Sequence, residues 1–110
     1  MATFILDLDG TLFKHSSTMP LHGALEFLAK IHADGNRVVF ITRRGDEEWG
    51  PDDPVYSEAP TRKMLDDLGI KYHDIIFNCK SPRIIIDDDE VRHIQGNNTH
   101  VPLDWAVISD

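Results

Sequence analysis

Two aspartates two residues apart, closing an apolar run in Phe4-Ile5-Leu6-Asp7-Leu8-Asp9-Gly10-Thr11-Leu12, are the residues of this chain best suited to chemistry. Uninterrupted apolar β-formers suit a strand buried on both faces of a parallel sheet, so Phe4, Ile5 and Leu6 are read as such a strand. Asp7 then falls at its carboxyl end, where open α/β sheets place their ligands. Asp9 projects to the same side if the chain stays extended, and Gly10 and Thr11 permit a tight turn whose amides can face an anion. Taken alone, Asp-x-Asp-Gly is more often the pattern of a solvated strand end followed by a turn.

A second acidic cluster decides in favour of chemistry. Arg83-Ile84-Ile85-Ile86-Asp87-Asp88-Asp89-Glu90 repeats the arrangement, a β-branched run and then carboxylates. Adjacent carboxylates repel one another, so they raise their proton affinity or demand a cation. Between the clusters Val38-Val39-Phe40-Ile41 runs into Thr42-Arg43-Arg44, a hydroxyl and two guanidinium groups. Strand ends bearing Asp, then Thr and Arg, then Asp-Asp make a site for a divalent metal and a phosphate.

These residues resemble the haloacid dehalogenase-like (HAD) phosphohydrolases. Asp7-Leu8-Asp9-Gly10-Thr11-Leu12 matches the family's first motif, Ile41-Thr42 its second and Ile86-Asp87-Asp88 its fourth; Lys80 in Cys79-Lys80-Ser81-Pro82 is the best match to the motif lysine, with Lys63 the rival. The motifs span residues 4 to 89. Similarity is greatest to the short capless members, often sugar-phosphate or capsule-biosynthesis phosphatases, although Cys79 and Ser81 replace the glycine and proline that flank their lysine.

The resemblance implies roles. A carboxylate is a competent nucleophile toward phosphorus, which makes Asp7 the expected nucleophile, passing through an aspartyl phosphate. Mg²⁺ is the expected cofactor, with Asp7 and Asp87 or Asp88 as side-chain ligands and, by resemblance, the carbonyl of Asp9. Asp9, two residues from the nucleophile, is placed to protonate the leaving oxygen and activate water. Thr42 is expected to hydrogen-bond a phosphate oxygen and Lys80 to balance charge. Gly10, Thr11, Arg43 and Arg44 are the candidate substrate contacts, Arg44 preferred because it fits the Thr-x-Arg pattern of the capless members. Trp49 and Tyr56 either stack on a ligand or anchor their loop. The histidines, His15, His22, His32, His73, His93 and His100, show no paired spacing typical of zinc ligands.

The elements that would position these residues alternate. After the first strand comes a polar loop from Phe13 to Met19, and a helix is predicted from Pro20 to Ala33, with Leu21, Ala24, Leu25, Leu28 and Ile31 on one face and Asp34-Gly35-Asn36 as its stop. Strand two spans Arg37 to Ile41, and a long loop runs from Arg43 to Tyr56. A second helix runs from Ser57 or Ala59 to Leu68, with Met64, Leu65 and Leu68 inward. Strands three and four are predicted over Asp74 to Phe77 and Arg83 to Ile86, a helical turn over Glu90 to Ile94, and an apolar tail over Val101 to Val107. This order implies an α/β, Rossmann-like three-layer sandwich with a mainly parallel sheet. Only 32 residues separate Asp9 from Thr42, so no inserted cap domain fits there; the site should be open unless a neighbouring subunit in a homo-oligomer covers it.

With 110 residues the chain has room for one domain, residues 1–110. A hydrophobic fraction of 41% and a charged fraction of 27% are ordinary for a globular protein. No apolar stretch approaches the ~20 residues of a membrane span and no signal peptide is evident, so a cytoplasmic location is expected. One cysteine, Cys79, excludes an intrachain disulfide. A net charge of −8 weighs against binding extended nucleic acid. The expected function is a Mg²⁺-dependent phosphomonoester hydrolase acting on a small phosphorylated metabolite, such as a sugar phosphate or nucleotide. The alternatives are a 3′-phosphatase of polynucleotide ends and a non-catalytic HAD scaffold that binds a partner.

Overall fold

The computed structural model describes residues 1–15, 17–45, 53–96 and 103–108. Three parallel strands, β1 (Thr3–Asp7), β2 (Arg37–Ile41) and β3 (Asp74–Ile76), form a sheet in the order β1-β2-β3. The β1–β2 register sets Thr3 against Arg37 and Asp7 against Ile41; on the other side of β2, Ile41 meets Ile76. Parallel neighbours need a crossover, and helices α1 (Ala24–Ala33) and α2 (Glu58–Asp67) supply the two. A four-residue helix α3 (Trp105–Ile108) ends the described chain.

One sheet face carries the core. Val38, Phe40 and Ile75 are buried on it, with Phe4 and Leu6 beside them, against Phe27, Leu28 and Ile31 of α1 and Met64 and Leu65 of α2. Because side chains alternate along a strand, Ile5 and Ile76 point to the opposite face, and both are about half exposed, at 52% and 49%. The reading of Phe4-Ile5-Leu6 as buried on both faces is therefore corrected: β1 lies at the sheet edge and, among the described residues, the core joins only one of its faces.

Helix α1 begins at Ala24, four residues after the expected Pro20. Pro20 instead bridges antiparallel to Phe13, and Leu21 donates its amide to the Leu12 carbonyl at 2.8 Å. Gly23 then adopts a left-handed φ of 82°, and a Cβ there would meet the Trp105 ring at 2.7 Å. Trp105 lies 5.0 Å from the Phe27 ring and donates its indole N–H to the His22 carbonyl at 2.9 Å, so α3 docks on the start of α1. Phe13, expected to open a polar loop, is fully buried in the core.

The larger correction concerns residues 83–86, which form no strand. Ile84, Ile85 and Ile86 are 77%, 60% and 94% exposed. β-propensity expresses fit to a pleated, half-buried surface, and a strand persists only where its amides find a neighbour; among the described residues this run finds neither. Residues 90–94, expected to form a helical turn, are irregular as well. Between Asp9 and Thr42 only loop, α1 and β2 intervene, so that interval holds no inserted domain.

Candidate active site

Asp7 ends β1, its carboxylate 28% exposed. The Thr11 hydroxyl donates to Asp7 Oδ2 at 3.3 Å, and Arg83 Nη1 lies 3.5 Å from Oδ1. Burial pushes the Asp7 carboxyl above its ordinary value; Arg83 pulls it down, Asp9 pushes it up again, and the Leu8 amide and Thr11 hydroxyl pull it down. Burial prevails, so the side chain is one whose charge a cation would stabilise.

The turn that follows is tight because Gly10 takes a left-handed φ of 81°. The Leu8 carbonyl collects the amides of Thr11, Leu12 and Phe13 at 3.3, 2.9 and 2.9 Å, and Gly10 donates to the Phe13 carbonyl at 2.7 Å. The amides of Gly10 and Thr11, expected to face an anion, are thus consumed inside the turn. What Thr11 contributes to the site is its hydroxyl on Asp7.

Asp9 meets Arg44. Arg44 Nε donates to Asp9 Oδ2 at 2.8 Å and Nη2 to Oδ1 at 2.7 Å, a bidentate pair whose side chains are 1% and 13% exposed for Arg44 and Asp9. Nη2 also donates to the Ser17 carbonyl at 3.0 Å, and Nη1 reaches the Val55 carbonyl and Thr61 Oγ1, each at 3.3 Å, with Met64 Sδ at 3.9 Å. The Tyr56 ring lies 5.3 Å from the guanidinium carbon. Arg44 was expected to grip an anionic group of the substrate; it is instead buried, with every donor turned onto the protein. Tyr56 accordingly serves as an anchor under Arg44, and Trp49 lies outside the described residues.

The expected phosphate contact, Thr42, lies just past the end of β2. Thr42 is fully buried, and its hydroxyl oxygen accepts the Arg44 amide at 3.1 Å. Its carbonyl accepts the Cys79 amide at 2.8 Å, while the Arg44 carbonyl accepts the Asn78 amide at 2.8 Å. These two bonds strap the segment after β3 to the end of β2. Arg43 is exposed beside them, and so is Lys80 on the strapped segment. Lys63, the rival motif lysine, projects from α2 into solvent and pairs with Asp67 at 2.6 Å, which removes it from the site.

Arg83 escaped the sequence reading because it looked like the first residue of a strand. Its Nη2 and Nε donate to the Cys79 carbonyl at 2.8 and 3.2 Å, which aims Nη1 at Asp7. No spacing signalled this, since it depends on the strap. The Asp9–Arg44 pair did leave a trace: extending the register from Asp7 against Ile41 brings Asp9 level with Arg43 and next to Arg44.

Asp87, Asp88 and Asp89 are exposed, and one oxygen from each falls within 4.8 Å of the others; among the described residues neither Asp7 nor Asp9 joins this group. The expected set of Asp7, the Asp9 carbonyl and Asp87 or Asp88 would combine the end of β1 with this acidic run. The donors are all hard oxygens and fit Mg²⁺ in kind. The chain beyond them returns to the motif turn, since a Cβ at Gly96 would lie 3.5 Å from Thr11 Oγ1.

No family model matches the sequence, and no curated protein does. Solved structures do. A target protein from Vibrio cholerae aligns at 26% identity with a TM-score of 0.58, covering 84% of each chain. D,D-heptose 1,7-bisphosphate phosphatase from B. bronchiseptica, solved with magnesium and phosphate, aligns at 25% identity with a TM-score of 0.57 over 74% of this chain and 52% of that one. The chain thus spans about half the length of that phosphatase. No helix among the described residues is long and apolar enough to cross a membrane. The sheet is parallel, its first strand ends on Asp7 just ahead of Asp9-Gly10-Thr11, and its fold matches these solved structures, which supports a haloacid dehalogenase-like phosphatase.

Proposed function

We propose that the chain hydrolyses phosphomonoesters with Mg²⁺ through an aspartyl phosphate on Asp7, and that its substrate is a small phosphorylated metabolite of the sugar-phosphate type. The observation that carries this reading is the Asp7 carboxylate itself, reachable at the carboxyl end of β1, with Thr11 on one oxygen and Arg83 on the other. The neighbour solved with magnesium and phosphate supports both the ion and the reaction class.

In the first half-reaction an Asp7 oxygen attacks phosphorus while the bond to the ester oxygen breaks. That oxygen leaves with the electron pair and takes a proton from Asp9. In the second half water attacks the phosphorus of the aspartyl phosphate, its proton passes to Asp9, and the acyl phosphate bond breaks to release phosphate and free Asp7. Asp7, the Asp9 carbonyl and Asp87 or Asp88 would hold Mg²⁺, which when bound neutralises charge on the transferring group. Arg83 faces the same region and adds a fixed positive charge beside the nucleophile. Arg43 and Lys80, both exposed near the strap, would contact the rest of the substrate.

The test is turnover across sugar phosphates, nucleotides and a 3′-phosphorylated oligonucleotide, each with Mg²⁺ or EDTA, with Asp7→Asn as the control. Mg²⁺-dependent release of phosphate from a sugar phosphate, together with hydroxylamine-sensitive labelling of wild type but not of the variant, is expected. A preference of about a hundredfold in kcat/KM for the oligonucleotide would transfer the reading to polynucleotide ends. No turnover on any ester would leave a binding scaffold.

A further inference from the structure

Arg44 is the most thoroughly bonded side chain described in the molecule, and the proposed reaction gives it nothing to do. A guanidinium offers five N–H groups in a rigid planar fork. Here two go to the Asp9 carboxylate, one to the Ser17 carbonyl, and two to the Val55 carbonyl and Thr61 Oγ1. The partners belong to the motif turn, the loop after it, the loop before α2 and α2 itself. Four separate pieces of chain therefore converge on one buried cation, and its only anionic partner among these contacts is Asp9.

The two sides of the fork differ in kind. Toward Asp9 the contacts are short, charged and bidentate, fixing the plane as well as the position of the carboxylate. Away from Asp9 they are neutral and longer, and they hold the fork against elements of the core. The lower anchor is prepared in turn: Asp53 Oδ1 accepts the amides of Val55 and Tyr56 at 2.9 and 2.5 Å, and Thr61 Oγ1 meets the Val55 carbonyl at 3.3 Å. A carboxylate has about four lone-pair sites, so a bidentate fork leaves Asp9 able to handle a proton. The pair restricts where that carboxylate can be without using it up.

We infer that Arg44 is the positioning residue for Asp9, a buried fork that presents its carboxylate to the reacting oxygens, and that it does not bind substrate. The inference rests on the acid–base role given to Asp9 above and adds the residue through which the core sets it. Loss of the fork then acts on proton transfer alone. It impairs esters whose leaving oxygen needs a proton, spares esters of acidic phenols, and leaves phosphate binding intact.

The test is a double-mutant cycle of Arg44→Lys with Asp9→Asn, read as kcat/KM on an alkyl phosphate and on p-nitrophenyl phosphate, with inhibition by inorganic phosphate as the measure of binding. Lysine keeps the charge and loses the bidentate geometry. Arg44→Lys is expected to lower kcat/KM about a hundredfold on the alkyl ester, within the span of general acid–base effects, and far less on the nitrophenyl ester. The phosphate inhibition constant should stay within about threefold of wild type, and in the Asp9→Asn background the Arg44→Lys effect should vanish. Thr61→Val, which removes one anchor and leaves Arg44 in place, should show the same signature at smaller size and decides the matter if Arg44→Lys does not fold. Equal losses on both esters, full additivity with Asp9→Asn, or weakened phosphate inhibition would overturn the inference. If Asp9→Asn itself retained activity within about tenfold of wild type, the acid–base reading of Asp9 would fall, and this inference with it.

Discussion

At the Asp9–Arg44 corner every guanidinium N–H meets an acceptor and the fork is buried, whereas residues 83–89 leave three isoleucines and three aspartates facing solvent. Both segments are apolar runs ending in charge, and in sequence they look equally strand-like. They differ in what lies alongside. Asp9 and Arg44 follow adjacent parallel strands in fixed register, so their ends must meet. Among the described residues, 83–86 have no partner strand, and the aspartates they lead to do not form one cluster with Asp7. Charge becomes a defined site only when the backbone carrying it is itself paired.

The strongest way to break this contrast is at the nucleophile. Asp7→Asn keeps the volume and removes the attacking oxygen, so turnover should disappear; catalysis within about tenfold of wild type would show that the ordered half of the site is not where the reaction happens. Next is a charged link between the two halves, the Arg83–Asp7 contact. Arg83→Ala should lower kcat/KM about a hundredfold, the size expected for one fixed charge-stabilising donor. Lys80→Ala should cost less, and the reverse ranking, read from steady-state kinetics, would restore Lys80 as the principal cation.

The acidic run can be probed through Mg²⁺ itself. An ion that binds only the folded state stabilises by about 2.7 kcal/mol at a hundred times its dissociation constant. Thermal melts at fixed ionic strength should show that gain in wild type and its loss in Asp87→Asn or Asp88→Asn. Asp89, whose amide caps Asp87 Oδ1 at 2.9 Å, should matter much less as a side chain. An unchanged melting temperature with saturating Mg²⁺ would remove residues 87–89 from the site.

A smaller effect concerns pH. Burial raises the Asp7 carboxyl above its ordinary 3.8, so the native state holds that proton more tightly than the unfolded chain. The corresponding stability is fully present below 3.8 and is lost as pH rises through the raised native value. In EDTA, Asp7→Asn should therefore be more stable than wild type at neutral pH, with the gap closing below the ordinary carboxylate range; a gap independent of pH would show that burial is not what shifts Asp7. The least effect is expected from Lys63→Ala, whose exposed pairing with Asp67 should leave both the melting temperature and turnover unchanged.

Much of this was legible without coordinates. Asp7-x-Asp9-Gly10-Thr11, the span of β2 and the helix that α2 became follow from local rules, namely apolar continuity, β-branching, and glycine where the chain must turn left-handed, as at Gly10. Those rules act over a few residues and are written in the order of the chain. Tertiary structure decided what each charge faces. Arg44 reads as a substrate contact after a strand and is a buried hub only because Ser17, Val55 and Thr61 close around it. Arg83 reads as a strand start and reaches Asp7 only because the segment from Asn78 is strapped to β2. Asp87 and Asp88 read as ligands beside Asp7, and sequence alone could not say whether Ile84 to Ile86 would find a neighbouring strand. Pairing partners lie tens of residues away, and their choice is set by competition for backbone hydrogen bonds and buried area, which no local pattern records.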